Sequence, residues 1–221
     1  MKHPYTGILA TLNPIKDQIL QVTIYQDLLG KFGCVIILEH DPDHLLTKLA
    51  AMVKYIRSKR LMLPLIIDRR FLKYSLDSYP LEFINIISST RTDLMTIEDL
   101  LGDLKFEPAD VRLQMEREFK SKWLLTRQVV LEGALSPKMM RETLHLSIEA
   151  LVPAFKGFFL LANHPYPQTL NDLIAQAALI SKCDLGNLPI WYKEKSIHAG
   201  DIERYLGILQ KLMELMETYP V

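Results

Sequence analysis

The stretch VTIYQDLLGKFGCVIILEHDPDHL, Val22 to Leu45, decides the fold class. Val22 to Tyr25 and Cys34 to Leu38 are apolar and β-branched, the second run without a polar break, which is the pattern of a strand covered on both faces. Behind them Asp41, Pro42 and Asp43 read as a helix cap and first turn, and Leu45, Leu49, Met52, Val53 and Ile56 recur on one helical face. Two buried strands joined by a loop ahead of a helix form a common scaffold for phosphate or metal chemistry. The loop between them contains one acid, Asp27.

Working outward, LPLII (Leu63 to Ile67) predicts a third strand, RRFLKYSLD a short helix, and PLEFINIIS (Pro80 to Ser88) a fourth strand. Strands alternating with helices in this way predict a small mixed β-sheet. From Pro108 the character changes. Val111, Met115, Phe119 and Trp123 recur every fourth residue, and Glu116 with Lys120 and Glu118 with Lys122 stand in the orientation that supports a helix. Further helices are expected at Met139 to about Leu151, Pro153 to Ala162, Leu170 to Lys182 and Ile202 to Glu217. The fold class is therefore α/β followed by all-α, with an α/β domain over 1–107 and a helical bundle over 108–221.

With 221 residues, 49% of them apolar and 24% charged, the composition is that of a globular chain with a real core. Lys plus Arg and Asp plus Glu number 26 each, so no global field favours nucleic acid or an anionic membrane. Pro4, Gly7, Asn13 and Pro14 interrupt the N-terminal stretch before it could act as a secretory leader. LVPAFKGFFLLA, Leu151 to Ala162, carries Lys156, is short for a bilayer and reads as a core helix. Cys34 and Cys183 sit in apolar segments, as buried reduced thiols of a cytoplasmic protein would.

The runs LPLIIDRRFLKYSLDSYPLEFINI (Leu63 to Ile86) and EDLLGDLKFEPADVRLQMEREFKSKWLLTRQ (Glu98 to Gln128) resemble bacterial proteins that join a nucleotidyltransferase domain of the polymerase-beta type to a helical C-terminal domain. In active members of that superfamily a Gly-Ser turn approaches the nucleotide phosphates, an Asp-x-Asp strand holds magnesium, and a later strand supplies a third carboxylate. Two divalent ions on a triphosphate require clustered carboxylates, because hard cations take oxygen ligands. On this resemblance Gln26 and Asp27 take the place of the Gly-Ser pair, and Lys31 and Gly33 that of the two metal carboxylates. Glu82 keeps an acidic position, and Asn85 stands where an Asp is expected. Lys31 would repel a cation. The resemblance implies the fold, and its departures argue against the activity.

Other clusters invite metal or catalytic readings and each has a plainer one. EHDPDH, Glu39 to His44, reads as a strand end running into a helix cap. RETLH, Arg141 to His145, is similar to the Arg and His pair of helical ribonuclease domains, but its spacing is one residue short, so an ordinary exposed pair is expected. His164, between two helices in NHPYP, reads as loop punctuation. The helix carrying Arg112, Arg117, Lys120, Lys122 and Arg127 could meet an anion, yet Glu116 and Glu118 favour a self-paired solvated face. No glycine-flanked serine elbow or Cys–His neighbour supports hydrolase chemistry.

The expectation is a catalytically degenerate nucleotidyltransferase-fold protein acting as a binding, regulatory or interaction module, with no catalytic residue, no metal ligand and no cofactor assigned. Gln26, Asp27, Lys31, Glu82, Lys120 and Arg127 are its candidate ligand contacts. The alternative is an active transferase that takes Mg and a nucleoside triphosphate and recruits Asp27, Glu39 or Glu82. A further alternative is a structural subunit that oligomerises through the Met-rich final helix, Leu209 to Met216. Expected partners are a protein or a second copy through the helical domain, without membrane or nucleic acid.

Overall fold

The computed structural model of the chain describes residues 4–220. A four-stranded mixed sheet is followed by a helical region. The chain divides into two compact units, Met1–Leu76 with Ile86–Lys105, and Asp77–Asn85 with Phe106–Val221.

In the first unit, strands β1 (Ile19–Gln26) and β2 (Phe32–Leu38) form the antiparallel pair that their β-branched runs predict. Helices α1 (Leu45–Lys48) and α2 (Ala50–Lys59) follow, then β3 (Leu65–Asp68) and α3 (Arg69–Tyr74). The sheet order is β3-β2-β1-β4, with β4 at Thr90–Thr96; β3 is parallel to β2 and β4 antiparallel to β1. Every residue of β2 except Phe32 is at least nine-tenths buried, which is why that strand reads as continuously apolar. Val22, Ile24, Cys34, Ile36 and Leu38 on one sheet face pack with Leu49, Met52 and Ile56, the expected helix stripe, and with Tyr5, Ile8 and Leu12. The helix entry differs from expectation. His44, not Asp41, precedes α1, in a left-handed conformation with φ 58° and no side-chain cap, and Leu49 interrupts the helix between α1 and α2.

Two elements depart from the sequence reading. PLEFINIIS forms a helix, α4 (Pro80–Ile87), instead of a strand. Pro80 opens it at the position where a missing N–H costs nothing, and an isoleucine-rich run of this length fits a buried helix as well as a strand. The fourth strand is instead β4, TRTDLMT, whose polar alternation suits an edge with one side in water.

The second unit contains α5 (Pro108–Glu132), α6 (Pro137–Leu161), α7 (Leu170–Ser181), α8 (Leu188–Lys193) and α9 (Ala199–Thr218), together with residues 77–85. Sequence boundaries at 107 and 108 put those nine residues with the sheet, whereas they cluster with the helices. Gln114 of α5 explains part of this. Its Oε1 accepts from the Leu81 backbone N–H at 2.7 Å, satisfying a donor of the first turn of α4, and its Nε2 donates to Glu82 at 2.7 Å. α5 lies against α6 and α9, and α6 also against α7 and α8. Val111, Met115 and Phe119 are buried as their spacing predicts, while Trp123 is half-buried under the Arg127 guanidinium. A hydroxyl chain crosses the interior: Ser147 lies 2.6 Å from the Tyr205 hydroxyl and 3.4 Å from that of Thr126.

The helices expected on either side of Pro153 are one helix, α6, with that proline inside it. Proline removes one internal hydrogen bond, and burial of Leu151, Val152, Ala154 and Phe155 around it outweighs the loss. At 25 residues α6 is long and apolar enough by composition to cross a membrane, but 61% of its most apolar window is buried inside the fold. Lys156 within it is fully buried, its Nζ donating to Asn85 Oδ1 at 2.8 Å and to the Asn85 carbonyl at 3.3 Å. The final helix also departs from the expectation of a free oligomerising stripe. Leu209, Leu212 and Met216 are buried within the unit, mainly along α5, so the apolar side of α9 is already covered.

Candidate functional site

The turn between β1 and β2 holds itself. Asp27 Oδ1 accepts from the Leu29 N–H at 2.9 Å and from the Lys31 N–H at 2.8 Å, while the Asp27 N–H donates to the Lys31 carbonyl at 3.0 Å. Gly30 turns the chain at φ 77°, where a side chain would be strained, and its carbonyl accepts from Gln26 Nε2 at 3.3 Å. A carboxylate that closes its own turn this way is an Asx-type device. The lone acid of the loop thus has one oxygen committed to backbone, and the exposed Lys31 stands beside it.

Gly33, the second position where the family resemblance places a metal carboxylate, is covered by an aromatic ring. Tyr25 pairs with Gly33 across the strands, and a Cβ added there would lie inside the Tyr25 ring. Burial and the neighbouring Asp27 push the Tyr25 phenol up, so the ring stays neutral. Gly33→Ala is expected to lower stability by about 1–3 kcal/mol, because Tyr25 must leave its place. Urea unfolding followed by circular dichroism measures this; an unchanged midpoint would show that the ring moves freely.

The other sequence candidates do not assemble. Asp27 and Glu39 stand beyond opposite ends of β2, whose seven residues at roughly 3.3 Å each put them on the order of 20 Å apart, too far to share an ion. Glu39 pairs instead with Arg69 at 2.9 Å, and the same guanidinium holds Glu98 at 2.6 Å, lowering the Glu98 carboxyl. Glu82 belongs to the second unit and accepts from Gln114. Lys120 reaches Glu116 at 2.5 Å, a bond that raises the ammonium and lowers the carboxyl. Arg127 lies over Trp123, 4.4 Å from the ring centroid. The α5 cations are thus largely self-occupied, as the alternating charges predict.

A polar cluster that the sequence reading did not anticipate lies between β1 and β4. Gln21 and Thr23, two apart on β1, are both fully buried. The Thr23 hydroxyl donates to Asp93 Oδ1 of β4. Gln21 Nε2 lies 3.0 Å from Asp99 Oδ1 and 3.4 Å from Asp93 Oδ1, and Gln21 Oε1 accepts from the Leu101 N–H at 3.2 Å. A bulge makes this possible: Val22 pairs with Met95 but Thr23 with Asp93, so Leu94 is the extra residue that swings the carboxylate opposite Thr23. The readable signal was two polar residues at alternate positions of an otherwise apolar strand.

The chain matches no family model, no curated protein and no solved structure. Its chemistry therefore rests on its own geometry. Among the described residues no group of three or more His, Cys, Asp or Glu side chains converges as a metal site, the EHDPDH segment included. Asp93 and Asp99 present two exposed carboxylates tied together by a neutral amide, an arrangement suited to holding the segment after β4 onto the sheet. Arg141 and His145, expected as a plain surface pair, instead line a cleft together with Tyr192, Lys193 and Lys195.

Proposed function

We propose that this chain is a nucleotidyltransferase-like protein without transferase chemistry, working as a binding or interaction module through its helical unit. The observation that carries this reading is the polar cluster on the sheet. Alternate positions of a strand facing a carboxylate on its neighbour are where a two-metal site needs acids, and here they are Gln21 and Thr23, facing Asp93. An amide and a hydroxyl add no negative charge, and both already donate to the acid that remains. Lys31 and Gly33, the positions given by the family resemblance, supply no carboxylate either.

Support for the second half comes from the helical unit, where Leu124, Leu125, Leu131 and Leu146 are exposed on α5 and α6. Scattered exposed apolar residues are ordinary, but several on adjoining helices favour a protein contact. Cys34 and Cys183 are unpaired thiols, in keeping with a reducing cytoplasmic setting. Calorimetry with magnesium and each nucleoside triphosphate tests the reading. The expected result is no magnesium-dependent binding that Asp93→Ala changes; saturable binding that Asp93→Ala abolishes would overturn it.

A further inference from the structure

The helical unit contains a cleft of about 260 Å³ built from two segments far apart in sequence. Arg141 and His145 line it from the start of α6; Tyr192, Lys193 and Lys195 line it from the end of α8 and the residues after it. Two acids, Glu142 and Glu194, line it as well. Among the described residues, none of Arg141, Lys193 and Lys195 forms an ion pair, with these acids or any other. Arg112, Lys120 and Lys122 on α5 do the opposite, each meeting a glutamate of its own helix. The three cations of the lining outnumber its two carboxylates, so the concave site carries a small positive excess.

One wall of the cleft is fixed. The His145 and Tyr192 rings stack with centroids 4.4 Å apart and planes inclined by 6°. Glu149 Oε1 accepts from the Tyr192 hydroxyl at 2.9 Å and lies 3.5 Å from His145 Nε2, while His145 Nδ1 is 3.3 Å from the Tyr192 carbonyl oxygen. Both imidazole nitrogens therefore face acceptors within the protein. His145 acts as a positioned wall of the cleft.

We propose that this cleft binds the phosphate group of a small phosphorylated molecule. The planar fork of Arg141 suits two phosphate oxygens at once, and Lys193 and Lys195 add point charges for the rest of the dianion. A volume of about 260 Å³ is at the low end for ligand sites, which favours a small phosphate ester over a polymer. This proposal goes beyond the reading above, since it concerns the helical unit alone and holds whether or not the sheet descends from a transferase.

The probe is inorganic phosphate, titrated into the full chain at constant ionic strength against chloride and followed by backbone amide NMR. Saturable shifts are expected at Arg141 to His145 and at Tyr192 to Lys195. The double variant Lys193→Gln with Lys195→Gln should weaken binding about tenfold or more, and Arg141→Lys, which keeps charge but loses the fork, should also weaken it. All three side chains are exposed, so folding should persist, with Trp191 fluorescence as the check. Shifts that fail to saturate, that chloride reproduces, or that keep full affinity in the double variant overturn the proposal. Triphosphate binding lost in the double variant but kept in Asp93→Ala belongs to this cleft; the reverse pattern belongs to the sheet and overturns only the reading of the sheet.

Discussion

Lys156→Ala is expected to lower the stability of the helical unit by about 3 kcal/mol, from a cavity in the core and from the loss of the charge-assisted hydrogen bonds to Asn85. Lys156 is fully buried in α6 and donates to both the side chain and the carbonyl of Asn85, near the C-terminal end of α4. A helix C-terminus carries partial negative charge, so an ammonium there offsets the orphan carbonyls as well as the dipole. Lys156→Met keeps most of the volume and removes the buried charge, so it should cost less than the alanine. Both tryptophans, Trp123 and Trp191, belong to the helical unit, and their fluorescence during urea unfolding reads its stability. If both variants unfold within about 0.5 kcal/mol of the native chain, a range typical of surface changes, Lys156 does not hold the end of α4.

Alkaline pH should destabilise the first unit progressively from about pH 9 upward. Burial pushes the Cys34 thiol from 9.0 up to about 12 and the Tyr5 phenol from 10.0 up to about 12. In the unfolded chain both groups release their protons at the lower values. Between the two values the unfolded state therefore holds fewer protons than the folded one, and stability falls as pH rises. Each such group removes about 1.4 kcal/mol per pH unit across its window, while stability near neutrality is unaffected by them. Burial raises Tyr205 in the helical unit in the same direction, so loss should extend to that unit at higher pH. Urea unfolding at pH 7, 9 and 10.5, with and without Cys34→Ala, measures the effect. A native chain equally stable at all three values, or a Cys34→Ala variant with the same slope above pH 9, would contradict the assignment.

Strands β1 and β2 were legible because a run such as CVIIL is short, β-branched and apolar without a break, as a strand buried on both faces is. α4 was not, since a short, mostly apolar run of eight residues fits either period and what settles it is Gln114, far along the chain, bonding to its first turn. β4 was hidden by its own polarity, which belongs to a sheet edge. Pro153 suggested a break that the burial of Leu151, Val152, Ala154 and Phe155 around it overrides. At the candidate sites, Asp27 was visible as the odd acid of the loop, but its commitment to the Leu29 and Lys31 amides is a matter of turn geometry. The cluster of Gln21 and Thr23 with Asp93 depended on an unforeseen strand and a bulge. The Arg141 cleft depended on α8, a six-residue helix whose apolar face is too brief to announce itself.

Residues 77–85 come between two segments of the sheet unit yet cluster with the helices, so the chain passes from one unit to the other three times. Translation would deliver this segment long before its partners. Leu81, Phe83 and Ile84, buried in the finished fold, emerge ahead of Gln114 and Lys156, so the nascent chain carries an apolar patch that nothing can yet cover. A gene cut between the two units at residue 105 would make that transient state permanent: the first fragment would keep a sticky, homeless helix, and the second would lose the segment whose backbone its buried glutamine and lysine are built to meet.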